Sequence, residues 1–265
     1  MSDPQQEPKV LFSRQGSVAR ITLNRPDKLN VLDSEMLDTI ERLVSEIDRD
    51  GDCRGVILGA AGDRAFCAGA DIKAWADLPP LEMWRSWTRR GHEIFERFER
   101  LLQPTVALID GVAYGGGLEL ALTCDLILTT GNSRFAFPEV GIAAIPGWGG
   151  TLRLAERVGV SRAKQMIFTG EPIAASIAAQ WGLVNGLYDD REAMEAGASQ
   201  LLDRIAQNAP VAVGAAKQLL RTHQQSRWTA GAMESIAGGL SALTHDGAEG
   251  VASFRDKRPP RFQGR

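Results

Sequence analysis

Apolar and β-branched positions alternate from Val18 to Leu23, and the spacing predicts a strand. The turn Asn24-Arg25-Pro26-Asp27 follows. Asp33 can then cap a helix in which Met36, Leu37, Ile40, Leu43, Val44 and Ile47 share one face and acidic residues hold the other. Val56 to Leu58 reads as a short buried strand leading into a small-residue loop, Ala65 to Asp71. Leu81 to Leu102 carries Trp84, Trp87, Ile94, Phe95, Phe98 and Leu101 at helical spacing, and Pro104 ends it.

Val106 to Ile109 predicts another buried strand, followed by the loop Gly111 to Gly117 and a helix from Leu118 to Leu122. Leu126–Thr129 and Arg134–Phe137 complete the strand set, which stops after Val184–Leu187. From Asp190 onward the chain is Ala-rich and helical, with Pro210 placed at a helix start. The expected fold class is α/β: a core over residues 1–200 carrying the functional loops, then a helical region over 201–265. No internal repeat or low-complexity tract interrupts it.

Composition narrows the partners. The 265 residues are 44% hydrophobic and 24% charged, with a formal net charge of -3, so the basic excess of a nucleic-acid binder is missing, though a local patch is not excluded. Cys53, Cys67 and Cys124 form no C-x-x-C pair, which points to a reducing compartment and away from disulfides or zinc. Cys67, lacking an organised His/Asn set, reads as a small buried residue. The polar stretch from Met1 to Pro8 reads as a disordered lead-in without a targeting signal, and no apolar run is long enough to span a bilayer. A soluble, cytoplasmic protein without a metal centre or membrane contact is expected.

Several familiar motifs fail. Position 120 is Leu where a dinucleotide fingerprint starting at Gly115 needs its third glycine, and no P-loop occurs. His92-Glu93 reaches Glu96 where a zincin needs His. Gly159 to Ala163 is a partial nucleophile elbow in which Ser161 reads as a helix cap. His92, His223 and His245 read as surface or structural residues.

What survives is a pair of glycine-rich loops, each after a short apolar strand. Their small residues would let two backbone N–H groups converge on one ligand oxygen and stabilise negative charge there. Glu119 lies just past the triple glycine in an apolar helix: either it favours the helix N-terminus or it is a partly buried functional group. Glu139 is a single acid in an apolar, glycine-rich stretch. Either it pairs with an arginine such as Arg153 or it faces a water-containing site. Two carboxylates near one site can differ in pKa and serve as base and acid together.

At these residues the chain strongly resembles the enoyl-CoA hydratase/isomerase (crotonase) superfamily, over nearly its whole length from Ile21-Thr-Leu-Asn-Arg-Pro26 to Lys257-Arg-Pro-Pro260. The most specific segments are Ala65–Lys73, Asp110–Glu119, and Phe137–Gly141 through Ile145–Leu154; Asn30-Val31-Leu32 stands where the family has N-A-L. The resemblance implies a crotonase-like spiral of repeated β-β-α units whose C-terminal helices build a homotrimer or homohexamer. It implies an oxyanion hole from the N–H groups of Ala70 and Gly116, with Ala70, Asp71, Ile72 and Lys73 bordering CoA. It implies hydratase acids at Glu119 and Glu139, twenty positions apart. The expected reaction is reversible water addition to a 2-enoyl-CoA thioester, CoA being part of the substrate and no cofactor being required.

Three departures bear on the substrate. Trp75 stands where typical short-chain hydratases have Met (and Ala74 where Glu is common), Trp148 replaces a small residue, and Thr244–Gly250 differs from the common pattern. The tryptophans either pack ordinarily or narrow the acyl pocket. The rivals are another crotonase reaction (isomerisation, carnitinyl-type dehydration or retro-aldol cleavage), an RNA-binding relative, and a purely structural oligomer.

Overall fold

The computed structural model describes residues 7–221, 236, 238–240 and 243–265. Most of the lead-in (1–6) and His223 lie outside the described residues. The strands are β1 Val10–Gln15, β2 Val18–Leu23, β3 Gly55–Ala60, β4 Ala65–Cys67, β5 Thr105–Ile109, β6 Val112–Tyr114, β7 Leu126–Thr130, β8 Arg134–Ala136, β9 Ile173–Ala174 and β10 Gly186–Tyr188. They form a six-stranded sheet in the order β1-β2-β3-β5-β7-β10 and a four-stranded sheet in the order β4-β6-β8-β9. Only the β1/β2 and β8/β9 pairs are antiparallel.

The order explains the spiral. Each of the pairs β3–β4, β5–β6 and β7–β8 places its first strand in the large sheet and its second in the small one, and successive turns stack in parallel. Every turn therefore delivers a loop to the same edge, where backbone groups of different turns can meet.

Helix α1 (Ser34–Asp48) forms as its pattern predicts: Asp33 accepts a hydrogen bond from the Met36 N–H, and all six predicted core residues are buried. After a three-residue turn, α2 (Pro80–Glu82), the segment Met83–Thr88 is π-helical and α3 (Arg89–Glu99) follows. The expected continuous helix to Leu102 is thus divided, and Trp84 is exposed while Trp87 is buried. The short helix α4 (Gly116–Ala121) starts at Gly116, two residues before the expected start.

Helix α7 (Ala175–Trp181) packs on β8 and β9 of the small sheet, α5 (Gly150–Val158) packs on α4 and on α6 (Val160–Thr169), and α8 (Arg191–Ala206), capped by Asp190, covers the outer face of the large sheet. Met194, Ala198 and Leu202 of α8 meet Ile57, Val106, Leu108 and Leu128. Position 200 falls within α8. Helices α9 (Pro210–Arg221) and α10 (His245–Asp256) close the described chain. Ser161 does not cap: the N-cap of α6 is Gly159, whose φ of 82° suits glycine, and Ser161 lies inside the first turn. No helix among the described residues is long and apolar enough to cross a membrane.

Candidate active site

The first glycine-rich loop is shaped by a template earlier in the chain. Leu29 and Asn30 both adopt positive φ (53° and 55°), a costly conformation for such residues. Asn30 is fully buried and offsets that cost: its Oδ1 accepts from the Arg25 N–H at 2.8 Å, and its Nδ2 donates to Ala61 O at 3.0 Å and Ala65 O at 2.9 Å. The template then holds the loop, with Ala68 N–H donating to Leu29 O at 3.0 Å, Leu32 N–H to Gly69 O at 2.8 Å, and Asp71 N–H to Leu32 O at 2.8 Å. These bonds make an isolated parallel bridge between Leu32 and Ala70. In such a bridge the flanked residue's own N–H points away from its partner, so the Ala70 N–H faces the other side of the loop.

The second loop supplies the facing surface. Gly115 adopts φ 48° and ψ -127°, which glycine alone takes easily, and its N–H donates to Ala136 O. This kink ends β6 and starts α4 at Gly116. A Cβ on Gly116 would stand 3.3 Å from the Ala70 nitrogen, and one on Gly69 would stand 3.9 Å from the Gly116 nitrogen. The two expected donors are therefore neighbours across the loop contact, and neither amide donates to another backbone group among the described residues. Gly117 lets α4 sit on β4, since a Cβ there would lie 2.3 Å from Cys67 O. Cys67 is buried, and burial pushes its thiol up to about 12, as befits a packing residue.

Glu119 is only 2% exposed. It does not serve its own helix start; its Oε1 accepts from Trp148 N–H at 2.7 Å and Gly150 N–H at 2.8 Å, tying α4 to the entry of α5. Burial raises its carboxyl from 4.5 to about 7; the two amides oppose the rise and the charge of Glu139 adds to it. Glu139 opens the 3-10 turn Glu139–Ile142 and is half-buried. Burial likewise raises it from 4.5 to about 7, and its buried Oε2 has no hydrogen-bond partner among the described residues. A Cβ on Gly115 would lie 2.8 Å from its Oε1, so the carboxylate abuts the second loop. Arg153 does not pair with it: that guanidinium binds Glu99 at 2.8 Å and Trp148 O at 2.7 Å.

The remaining expected residues surround this centre. Asp71 accepts from Arg25 at 2.8 Å and from the Lys73 N–H at 3.1 Å. Burial alone would raise its carboxyl, but these partners outweigh burial and hold it below 3.8. Ile72 (54% exposed) and Lys73 lie on the solvent side of the loop. Trp75 is half-buried and packs against the core, its Nε1 buried without a partner among the described residues. Trp148 is buried; its Nε1 donates to Trp87 O at 3.3 Å and its ring packs on Trp87 and Phe95. His92 and His245 are exposed.

The chain matches the model of the Enoyl-CoA hydratase/isomerase family over residues 13–265. It belongs to that family. Among its relatives is the short-chain-enoyl-CoA hydratase of Clostridium acetobutylicum, 40% identical over 94% of this chain and 95% of that protein. The 2,3-dehydroadipyl-CoA hydratase of Escherichia coli is 38% identical over 97% of this chain and 99% of that protein. The crystal structure of an enoyl-CoA hydratase from Bacillus anthracis superposes with a TM-score of 0.92 at 35% identity, covering 97% of this chain and all of that one. For an enoyl-CoA hydratase/isomerase family member, the residues that sequence patterns missed are the supports. Arg25 clamps Asp71, and the Asn30 side chain with the Leu32 backbone sets the first loop; in the sequence they showed only as members of the Ile21–Pro26 and Asn30–Leu32 segments, without their contacts.

Proposed function

We propose that this protein is an enoyl-CoA hydratase that adds water reversibly across the 2,3 double bond of a 2-enoyl-CoA thioester, giving a 3-hydroxyacyl-CoA. The observation that carries this reading is the pair Glu119 and Glu139, both raised to about 7 beside two adjoining loop amides. Groups poised there can divide into one base and one acid at neutral pH.

In this reading the thioester oxygen accepts from the N–H groups of Ala70 and Gly116, drawing electron density from C3 toward the carbonyl. Glu119 and Glu139 hold one water. As the water oxygen bonds to C3, Glu119 takes a proton from it, and protonated Glu139 delivers a proton to C2 as the enolate collapses. One proton then returns from Glu119 to Glu139 to reset the pair. Asp71, Ile72 and Lys73 border the CoA moiety. Loss of an oxyanion donor costs about 10²- to 10³-fold in other enzymes, so the loop amides rank with the acids. The scheme needs no metal or redox cofactor.

The protein is proposed to act in the cytoplasm, in fatty-acid metabolism, as a homotrimer or homohexamer. Supporting assembly, Val251 and Phe254 of α10 are 54% and 86% exposed, apolar surface that a second copy would cover. Light scattering on the purified protein tests the assembly. The activity is tested by following the enoyl-thioester absorbance of crotonyl-CoA. Its loss with incorporation of solvent oxygen at C3 supports hydration; double-bond movement without oxygen uptake overturns it.

A further inference from the structure

Two glycines on different helices make room for one indole. A Cβ on Gly91, in the first turn of α3, would lie 2.2 Å from Trp148 Nε1, and a Cβ on Gly116 would lie 2.7 Å from Trp148 Cζ3. The pyrrole edge is thus seated on α3 and the benzo edge on the start of α4. Glycine inside a helix costs about 1 kcal/mol relative to alanine, and at Gly91 no larger residue leaves the indole in place. The ring is 3% exposed, closed in by Trp87 and Phe95 at centroid distances of 5.2 and 5.1 Å.

Resting on the hydratase reading, we propose that Trp148 sets the acyl-length limit of the site, so that the substrate class is short 2-enoyl-CoA thioesters of crotonyl size. With the thioester oxygen on the amides of Ala70 and Gly116, C2 and C3 lie between Glu119 and Glu139. Trp148 stands on both sides of that space: its N–H holds Glu119 and its ring abuts Gly116. Carbons beyond C4 of a longer chain run into the indole, which cannot retreat because Gly91, Trp87 and Phe95 are behind it.

The test compares crotonyl-CoA with trans-2-decenoyl-CoA in hydration, and butyryl-CoA with decanoyl-CoA in calorimetric binding. Wild type is expected to favour the short member in both pairs by about tenfold or more, and Trp148→Ala to shrink each preference by about tenfold. Trp148→Phe, which keeps an aromatic packed on Phe95, is expected to shift the preference the same way by less, with circular dichroism reporting a folded chain. Equal handling of both lengths by wild type, or an unchanged preference in a folded Trp148→Phe protein, overturns the proposal. Absence of hydration at either length alongside a length-dependent binding preference that relaxes in the variants overturns the hydratase reading and leaves the length limit standing.

Discussion

Helix α4 and the turn at Glu139–Ile142 each present a glutamate to the same centre, and each glutamate is raised to about 7 by burial. Their surroundings differ. Glu119 is gripped by two backbone amides and is itself a structural joint between two helices. Glu139 sits on a single short turn with one oxygen buried and without a hydrogen-bond partner among the described residues. A similar upward shift thus arises from unlike environments: strong desolvation partly offset by hydrogen bonds in one case, milder desolvation with little to offset it in the other. The joint fixes an oxygen in space, whereas the turn leaves a lone pair to be used.

The largest expected effect is on turnover. Glu119→Gln and Glu139→Gln should each lower kcat for crotonyl-CoA by about 10²- to 10⁴-fold, with the double variant little worse than the poorer single one. A variant within tenfold of wild type would remove that carboxylate from the chemistry. Stability should then divide the pair. Glu119→Ala leaves the Trp148 and Gly150 amides without an acceptor and should cost about 2 kcal/mol or more in denaturant unfolding, while Glu139→Ala should cost under about 1 kcal/mol. Equal losses would erase the contrast between joint and turn.

The smallest effect is on pH dependence. Because both folded carboxyls lie above 4.5, the folded state holds protons more tightly than the unfolded chain. Their contribution to stability is complete below 4.5 and is lost as pH rises through about 7. The double Gln variant lacks that loss, so its Tm should gain on wild type by a few degrees between about pH 5 and about pH 8. For activity, one acid and one base titrating near the same value should give wild type a narrow bell centred near neutrality, and each Gln variant should lose one limb of it.

How much of this was legible depended on range. Helix α1 could be read to its cap because its signals, the Asp33 side chain and a six-residue apolar face, are local. Strand β1 was missed because five of its six residues are exposed and carry no alternation, and β9 because two residues carry no period. Strands β4 and β6 are three residues each and were absorbed into the glycine-rich loops that follow or contain them. The start of α4 was misplaced because Gly116 and Gly117 read as loop, though tertiary contact with Cys67 and Ala70 places them in a helix. The acids themselves stood out as lone charges in apolar stretches. Their partners did not: Glu119 reaches residues 148 and 150, and Arg153 turns to Glu99 instead of Glu139.

The bridge between Leu32 and Ala70 constrains insertions more than substitutions. It is made of main-chain atoms, so the Leu32 side chain is left to pack in the core and takes no part in the hold on the loop. Its geometry nonetheless counts residues: along an extended strand, N–H groups alternate in direction. Adding or removing one residue between Leu29 and Leu32 would turn the amide at position 70 to the wrong side. That stretch therefore behaves as a reading frame for the loop, held to its length by the main chain and to its shape by the Asn30 side chain.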